Sequence, residues 1–503
     1  MSPRLEERTL PELAGALSVP SYDRRQVRRG IVHLGVGGFH RAHEAMYVDR
    51  LMEQGVPGAL DWGICGVGVL PHDRRIVETL TAQDGLYTLV TKHADGRREA
   101  RVVGAVVQLL LAPDDPQAVV DAMADPATRI VSLTITEGGY LVHQVTGEFD
   151  AADPSIQADL RGDGPPTTAF GLVVAALAAR RAAGTGPFTV MSCDNLPGNG
   201  DIARRVFTAF ARLKDPGLAD WVDEHVTFPD SMVDRITPVT TPEDVDLLRE
   251  STGVEDGWPV VCEPFTQWVL EDRFAAGRPP WEEAGVQVVD DVAPFELMKL
   301  RLLNGGHQAL GYLGALAGYT YTHEVCQDPL FAGFLLDYLE HEAAPTLPPV
   351  PDTDLTAYRQ TLVQRFANPE VRDTLARLCA ESSDRIPKFV LPVVHANLAG
   401  GGPVDRAALV VAAWARYAEG RDDLGRPLEV VDRNAPRLTA SASRQAQDPL
   451  AFLRHADIFG RLAHDKHFAS AYTSALAQLQ EHGARATLES FATDHGPGPQ
   501  RQQ

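Results

Sequence analysis

The sequence contains no uninterrupted apolar run of about 18 residues, which excludes a helix of the kind that spans a bilayer. The opening segment around Arg4, Glu6, Glu7 and Arg8 lacks the apolar core of a secretory signal. Cysteine is scarce. Cys65, Cys193, Cys262, Cys326 and Cys379 are odd in number, widely scattered and never spaced as CxxC, which argues against a disulfide framework or a structural zinc site. These features point to a cytoplasmic protein. Positive charge is in deficit, with 46 Lys and Arg against 68 Asp and Glu, and a net charge of -22 repels nucleic-acid phosphates. No repeat or low-complexity tract appears, and the absence of an obvious exposed apolar stripe favours a monomer.

What is present is an ordinary globular composition, 44% hydrophobic and 23% charged, over 503 residues, too long for one core and sufficient for two or three domains. Near the front, the apolar run Ile31–Leu34 leads into Gly35, Val36, Gly37, Gly38, Phe39, His40 and Arg41, then a helical pattern from Ala42 to Met52. A strand, a glycine turn and a helix start form a place for a dinucleotide diphosphate, because backbone N–H groups and the helix dipole attract anions. His40 stands where a third glycine usually permits tight packing. Strand-like runs follow at Trp62–Val69, Ile130–Thr136, Phe188–Ser192 and Val226–Phe228, with helical segments such as Thr168–Arg181 and Ile202–Leu213 between them. That alternation predicts a mostly parallel sheet covered by helices.

Ligands of such sheets lie beyond the carboxyl ends of strands. There the chain carries Thr136 and Glu137, then Asp194 and Asn195, then Asp234. The acid expected to meet the adenosine ribose comes late, at Asp73, and favours NAD. Arg74 and Arg75 follow directly and keep NADP as the alternative.

The second half changes character. Leu330–His341, Asp354–Phe366 and Arg406–Glu419 read as helices, and the tail from Asp494 to Gln503 reads as disordered. Around residue 300 the sequence runs Met-Lys-Leu-Arg-Leu-Leu-Asn-Gly-Gly-His-Gln-Ala-Leu. On an α-helix Lys299, Asn304 and His307 fall within about 140° of one face, and Glu296 lies on the same side. Two glycines in a helix interior cost roughly 1 kcal/mol each relative to alanine, which predicts a close backbone approach there. A lysine buried among leucines is the signature of a catalytic base, and the bland reading is a lysine whose tip reaches solvent.

Five segments together, Ile31–His43, Ser132–Tyr140, Met191–Pro197, Met232–Pro238 and Lys299–His307, resemble the polyol-specific long-chain dehydrogenases, nearest to their mannitol-oxidising members. The resemblance runs from about residue 20 to about residue 490. It implies an α/β Rossmann-type domain over 1–290, then a mainly α-helical domain of the 6-phosphogluconate dehydrogenase C-terminal type over 291–493. It also implies NAD(P) and no metal, with the site between the domains. The expected activity is oxidation of a polyol secondary alcohol to a ketose, D-mannitol to D-fructose or D-arabinitol as substrate. The family's base matches Lys299, its asparagines match Asn195 and Asn304, its histidine His307, and its substrate aspartate Asp234. Arg377 matches a substrate-binding arginine, and Arg385 stands where relatives carry a lysine.

The chemistry agrees. Without a Lewis acid, alcohol oxidation needs a base for the hydroxyl proton and neutral donors for the developing alkoxide. Lys299 suits the first if burial brings its pKa from about 10.4 toward neutrality, a change of roughly 4 kcal/mol. Asn195 and Asn304 suit the second, His307 orients the lysine or binds a hydroxyl, and Glu296 relays the proton outward. Three alternatives stay open. One is a hexuronate oxidoreductase using Arg377 or Arg385 for a carboxylate. Another is a zinc enzyme using His40 and His43, or His341 and Glu342. The last is a dinucleotide-sensing protein without catalysis.

Overall fold

The computed structural model describes residues 3–142, 148–162 and 164–495. The chain divides into two compact units, Met1–Ala293 and Pro294–Gln503.

Among the described residues the first unit carries eleven strands: β1 (Arg29–Leu34), β2 (Gly63–Gly68), β3 (Tyr87–Lys92), β4 (Arg98–Val103), β5 (Val106–Leu111), β6 (Ile130–Leu133), β7 (Thr189–Ser192), β8 (Ser231–Asp234), β9 (Val260–Cys262), β10 (Gln267–Glu271) and β11 (Gln287–Val289). Five of them form a parallel sheet in the order β5-β2-β1-β6-β7. Strands β2, β6 and β7 are buried throughout, the expected property of a parallel sheet covered on both faces. Helices Pro116–Ala124, Ala169–Ala183 and Asn199–Lys214 pack one apolar face through Val119, Phe170, Val173 and Phe207. Helix Glu44–Glu53 packs the other through Met46, Val48 and Leu51. The order reverses between β1 and β6, which opens a crevice beyond Leu34 and Leu133.

Two expectations need correction. Val226–Phe228 is not a strand: Pro229 ends the segment after Thr227 has accepted a single backbone bond from Val190. The strand follows at β8 and belongs to a separate mixed sheet, β11-β10-β8, with a third sheet β4-β3-β9 beside it. The helix expected from Ala42 to Met52 breaks at His43 (φ −125°, ψ −95°), leaving a short piece Gly38–Ala42 before Glu44–Glu53.

The second unit is helical. Helices Gly305–Leu316 and Asp405–Tyr417 are buried nearly all round. Trp414 sits between them, its ring 6.4 Å from Tyr312, 4.9 Å from Phe452 and 5.6 Å from Phe459. The last helix, Lys466–His495, is interrupted at Gly483 and continues through two residues of the segment expected to be a disordered tail. The rest of that tail lies outside the described residues. No helix among the described residues is long and apolar enough to cross a membrane. All five cysteines are buried and free.

Candidate active site

The glycine turn occupies the crevice. Gly35 has φ +105°, and a Cβ there would lie 2.3 Å from the Thr134 carbonyl oxygen, so only glycine lets β1 pass so close to the end of β6. Gly37 is different, with φ −74° and no atom within 4 Å of a built Cβ. The N–H groups of Gly38, Phe39 and His40 open the short helix and have no intrahelical acceptor. Open space above such donors is what a diphosphate requires. Side chains contribute little here. Val36 is in the core. Phe39 stacks on His43 with centroids 4.9 Å apart. Arg41, 2% exposed, donates to the Trp258 carbonyl at 2.6 Å and lies over Tyr87. His40 turns inward onto His33. What this turn offers an anion is backbone.

Beyond β6, Thr136 is held at φ +66°, unusual for a β-branched residue and of a kind that clusters at functional sites. The agent is Asp194, which follows β7. Its carboxylate accepts N–H bonds from Ile135 (3.1 Å) and Thr136 (2.8 Å) and a hydroxyl bond from Tyr140 (2.8 Å). Burial pushes the Asp194 pKa up and these donors hold it back. Thr136, Glu137 and Asn195 are thereby presented on the surface of the crevice. Sequence reasoning placed Asp194 at a strand end without foreseeing that it holds this segment. Asp234 closes β8 and is buried. Its neighbour Arg235 is spent on the Ala42 carbonyl (2.6 Å) and the Glu263 carbonyl (3.1 and 3.0 Å).

Asp73 lies past the end of β2, where its Oδ2 accepts from Val69 and Leu70 N–H at 2.9 Å each. Arg74 is forked onto Asp114, and Arg75 lies over the Trp258 ring at 5.2 Å.

In the second unit the segment around Lys299 departs from the α-helix of the sequence reading. Lys299–Asn304 is a π-helical turn, continued as α-helix from Gly305. Bonds of the i→i+5 type place residues five apart one above the other. Lys299 and Asn304, about 140° apart on an α-helix, therefore share a face, and His307 follows Asn304 by one α-turn. The close approach predicted for the glycines is there. A Cβ on Gly305 would meet the Phe389 carbonyl and the Tyr338 hydroxyl at 3.3 Å, and one on Gly306 would meet Leu335 at 3.2 Å. Lys299 is 8% exposed and His307 9%, with the His307 ring stacked on Phe366 at 4.2 Å. Asn304 Oδ1 is shielded from solvent and accepts no hydrogen bond among the described residues. Glu296 is half-buried.

Arg377 is exposed and forked onto Asp373, which raises its pKa further. Arg385 donates to the Arg377 and Leu378 carbonyls at 2.8 and 3.0 Å. Behind them, Gln308, Tyr312 and Ser382 form a buried chain anchored on the Leu378 and Cys379 carbonyls. That chain ties the arginine-bearing segment to the helix that carries His307.

The zinc pairs do not form. His43 turns to the Gln267 carbonyl at 3.2 Å, away from His40. His341 faces Asp337 at the surface, while Glu342 is buried against the N–H groups of Arg406 and Ala407.

A family profile described as the mannitol dehydrogenase Rossmann domain matches residues 29–283, and one for the mannitol dehydrogenase C-terminal domain matches 291–480. A mannitol 2-dehydrogenase of Pyrenophora tritici-repentis is 47% identical over 97% of this chain and 86% of its own length. One from Aspergillus fumigatus is 46% identical over 97% of this chain and 99% of its own. Among solved structures, the Pseudomonas fluorescens mannitol 2-dehydrogenase, in ternary complex with NAD and D-mannitol, superposes with a TM-score of 0.84 at 46% identity, covering 97% and 99% of the two chains. A substrate-free D-sorbitol dehydrogenase gives a TM-score of 0.90 at 38% identity, covering 97% and 100%. The chain belongs to the mannitol dehydrogenase family.

Proposed function

We propose that this member of the mannitol dehydrogenase family oxidises a secondary alcohol of D-mannitol to give D-fructose, in the cytoplasm, with NAD as acceptor, Lys299 as general base and no metal ion. D-arabinitol is the second substrate to try. The observation that carries the reading is the π-turn, which brings a buried lysine and Asn304 onto one face of the helix. The substrate assignment leans on relatives named mannitol 2-dehydrogenase and on the Pseudomonas complex.

The glycine turn fits a dinucleotide, since the space beside Gly37 is open, with nothing within 4 Å of a Cβ there, at the start of a helix whose first N–H groups lack an intrahelical acceptor. Bound there, a nicotinamide dinucleotide supplies the hydride acceptor. Asp73 favours NAD, because it is an acid beyond β2 and Arg74 is already paired with Asp114. Lys299, neutral, takes the hydroxyl proton. Asn304 and Asn195 hold the oxygen as charge develops, as neutral donors that leave the proton to the lysine. His307, fixed by Phe366, keeps the lysine and its neighbouring hydroxyl aligned. Glu296 passes the proton to water. Asp234, Arg377 and Arg385 bind the remaining hydroxyls. The uronate reading is weaker because Arg377 is forked onto the Asp373 carboxylate, which offsets the charge a substrate carboxylate would need, whereas a neutral hydroxyl needs only a donor.

Lys299→Ala is the test. Polyol oxidation in the parent enzyme should rise with pH and level off, because the base must be neutral, and ketose reduction should fall over the same range. The variant should lose most turnover and most of this dependence, keep NADH binding, and recover partly with small amines. Retention of the parent profile places the titrating group elsewhere. Activity abolished by EDTA refutes the metal-free mechanism.

A further inference from the structure

Beneath the glycine turn lies a cluster that this mechanism leaves unused. His33 on β1, Ser132 on β6, and His40 and Glu44 from the two helical pieces after the turn are all 0–1% exposed. They converge on one oxygen. Glu44 Oε2 is 3.0 Å from His33 Nδ1 and 3.2 Å from His40 Nδ1, and it accepts from the Ser132 hydroxyl at 2.9 Å. The two imidazoles stack with centroids 3.4 Å apart and planes 13° from parallel. At its other edge, His33 Nε2 is 2.9 Å from the Gly35 carbonyl oxygen and 2.8 Å from the Thr134 hydroxyl, which donates to the same carbonyl.

Two histidines and a carboxylate this close have the composition of a metal site. The stacking opposes it. An ion shared by both Nδ1 atoms would lie between the ring planes, off each by about half their 3.4 Å spacing. Imidazole lone pairs lie in the ring plane, and a metal–nitrogen bond is only about 2.0–2.1 Å long.

Proton placement is more decisive. A carbonyl only accepts, so the Gly35 contact needs a proton on Nε2; a carboxylate only accepts, so the Glu44 contact needs one on Nδ1. The Ser132 and Thr134 hydroxyls, each 2.8 Å from a ring nitrogen, have one proton apiece and give it to Glu44 and to the Gly35 carbonyl, so neither can donate to the ring. A neutral imidazole carries one proton and would leave a lone pair facing an oxygen at 2.9 or 3.0 Å in a dry interior. Burial raises the Glu44 pKa, but the bonds from His33 and His40 outweigh it and hold the carboxyl below its ordinary range. Burial, and then the charge on His33, push His40 down to about 4, which keeps it a neutral donor.

We infer that His33 is an imidazolium clamped between the Glu44 carboxylate and the Gly35 carbonyl, a buried ion pair that keeps that carbonyl turned inward and so positions the glycine turn for a diphosphate. The role rests on the dinucleotide reading above; the proton placement does not.

The experiment compares the parent enzyme with Glu44→Gln, His33→Gln and the double variant, measuring NADH dissociation constants by fluorescence and kcat and KM for NAD. Glu44→Gln should raise the dissociation constant and KM roughly tenfold, the equivalent of about 1.4 kcal/mol, while kcat at saturation stays nearly unchanged. The double variant should recover part of the loss, because it removes both charges together. A single variant that fails to fold beside a double variant that folds is the same result in stronger form. Histidine-selective 15N spectra of the parent enzyme read the protons directly, with His33 assigned by its loss in His33→Gln or its displacement in Ser132→Ala. Two protonated ring nitrogens are expected. One protonated nitrogen, strictly additive variants, unchanged NADH affinity in Glu44→Gln, or a stoichiometric metal ion each overturns the inference. A parent enzyme that binds no NADH overturns the dinucleotide reading instead, and the spectra still decide the proton placement.

Discussion

Two alanine substitutions two residues apart, Gly35→Ala and Gly37→Ala, should separate stability from cofactor affinity. At Gly35 the backbone sits at φ +105°, and the new Cβ would lie 2.3 Å from the Thr134 carbonyl oxygen. A left-handed conformation costs about 1–2 kcal/mol for an L-residue, and overpacking against a backbone that cannot move freely adds about 1–3 kcal/mol. A loss of roughly 2–5 kcal/mol corresponds to a fall in Tm on the order of 10 °C for a unit of this size. Dinucleotide affinity should fall as well, because Thr134 precedes the segment that Asp194 holds.

Gly37→Ala meets nothing within 4 Å and has φ −74°, which alanine adopts freely. Its stability should be unchanged or higher by about 0.4–1 kcal/mol, through the unfolded chain. Its methyl, however, fills the space assigned to the diphosphate, and displacing that contact by about 1 Å can cost on the order of 100-fold. Thermal denaturation and NADH titration on both variants decide the matter. Parent-like NADH affinity in Gly37→Ala would mean that no diphosphate lies on this turn, and a parent-like Tm in Gly35→Ala would refute the strain argument.

Glu342, fully buried, has its pKa pushed up to about 7 by burial, with the Arg406 and Ala407 N–H groups opposing. A carboxyl whose folded pKa is raised contributes stability below its unfolded value of about 4.5 and loses it as pH climbs to about 7. Urea midpoints at pH 5 and 8 should therefore fall more steeply in the parent enzyme than in Glu342→Gln, by at most about 3 kcal/mol; parallel slopes would refute this. Asn304→Ala should lower kcat by about 10²–10³, the usual cost of one donor to a developing oxyanion, with KM for NAD unchanged, as steady-state kinetics would show.

The sequence was most legible where a backbone demand can be met by one residue type. Gly35 had to be glycine because of Thr134, and Gly305 sits in tight contact with Phe389 and Tyr338, so both positions announced themselves. The runs of β1, β2, β6 and β7 were also readable, since a strand buried on both faces carries few charged residues and no apolar–polar alternation. The mixed side sheets were not, because pairing β3 with β9 joins residues some 170 positions apart and leaves no local mark. Nor was the His33–Glu44 cluster, which joins β1, β6 and a helix through side chains that singly look like ordinary polar residues. The π-turn was hidden because a 3.6-residue period fits Lys299–His307 tolerably well. The double glycine was the one signal that the helix there had a special neighbour.

The two units build their parts of the function from different materials, and this has a kinetic consequence. In the first, the proposed diphosphate site is made of backbone N–H groups, while His40 and Arg41 are turned into the core. A backbone surface grips substrate-bound and transition states alike, so damage to it acts on binding. In the second, Lys299 and Asn304 are brought onto one face only by a helical turn that is locally unfavourable and is held in place by Leu335, Tyr338, Phe366 and Phe389 around the glycines. Groups placed at that cost are useful where charge moves during the reaction, so damage there should appear in kcat. Substitutions in the turn and in the π-segment should consequently combine additively in kcat/KM while splitting cleanly between its two terms.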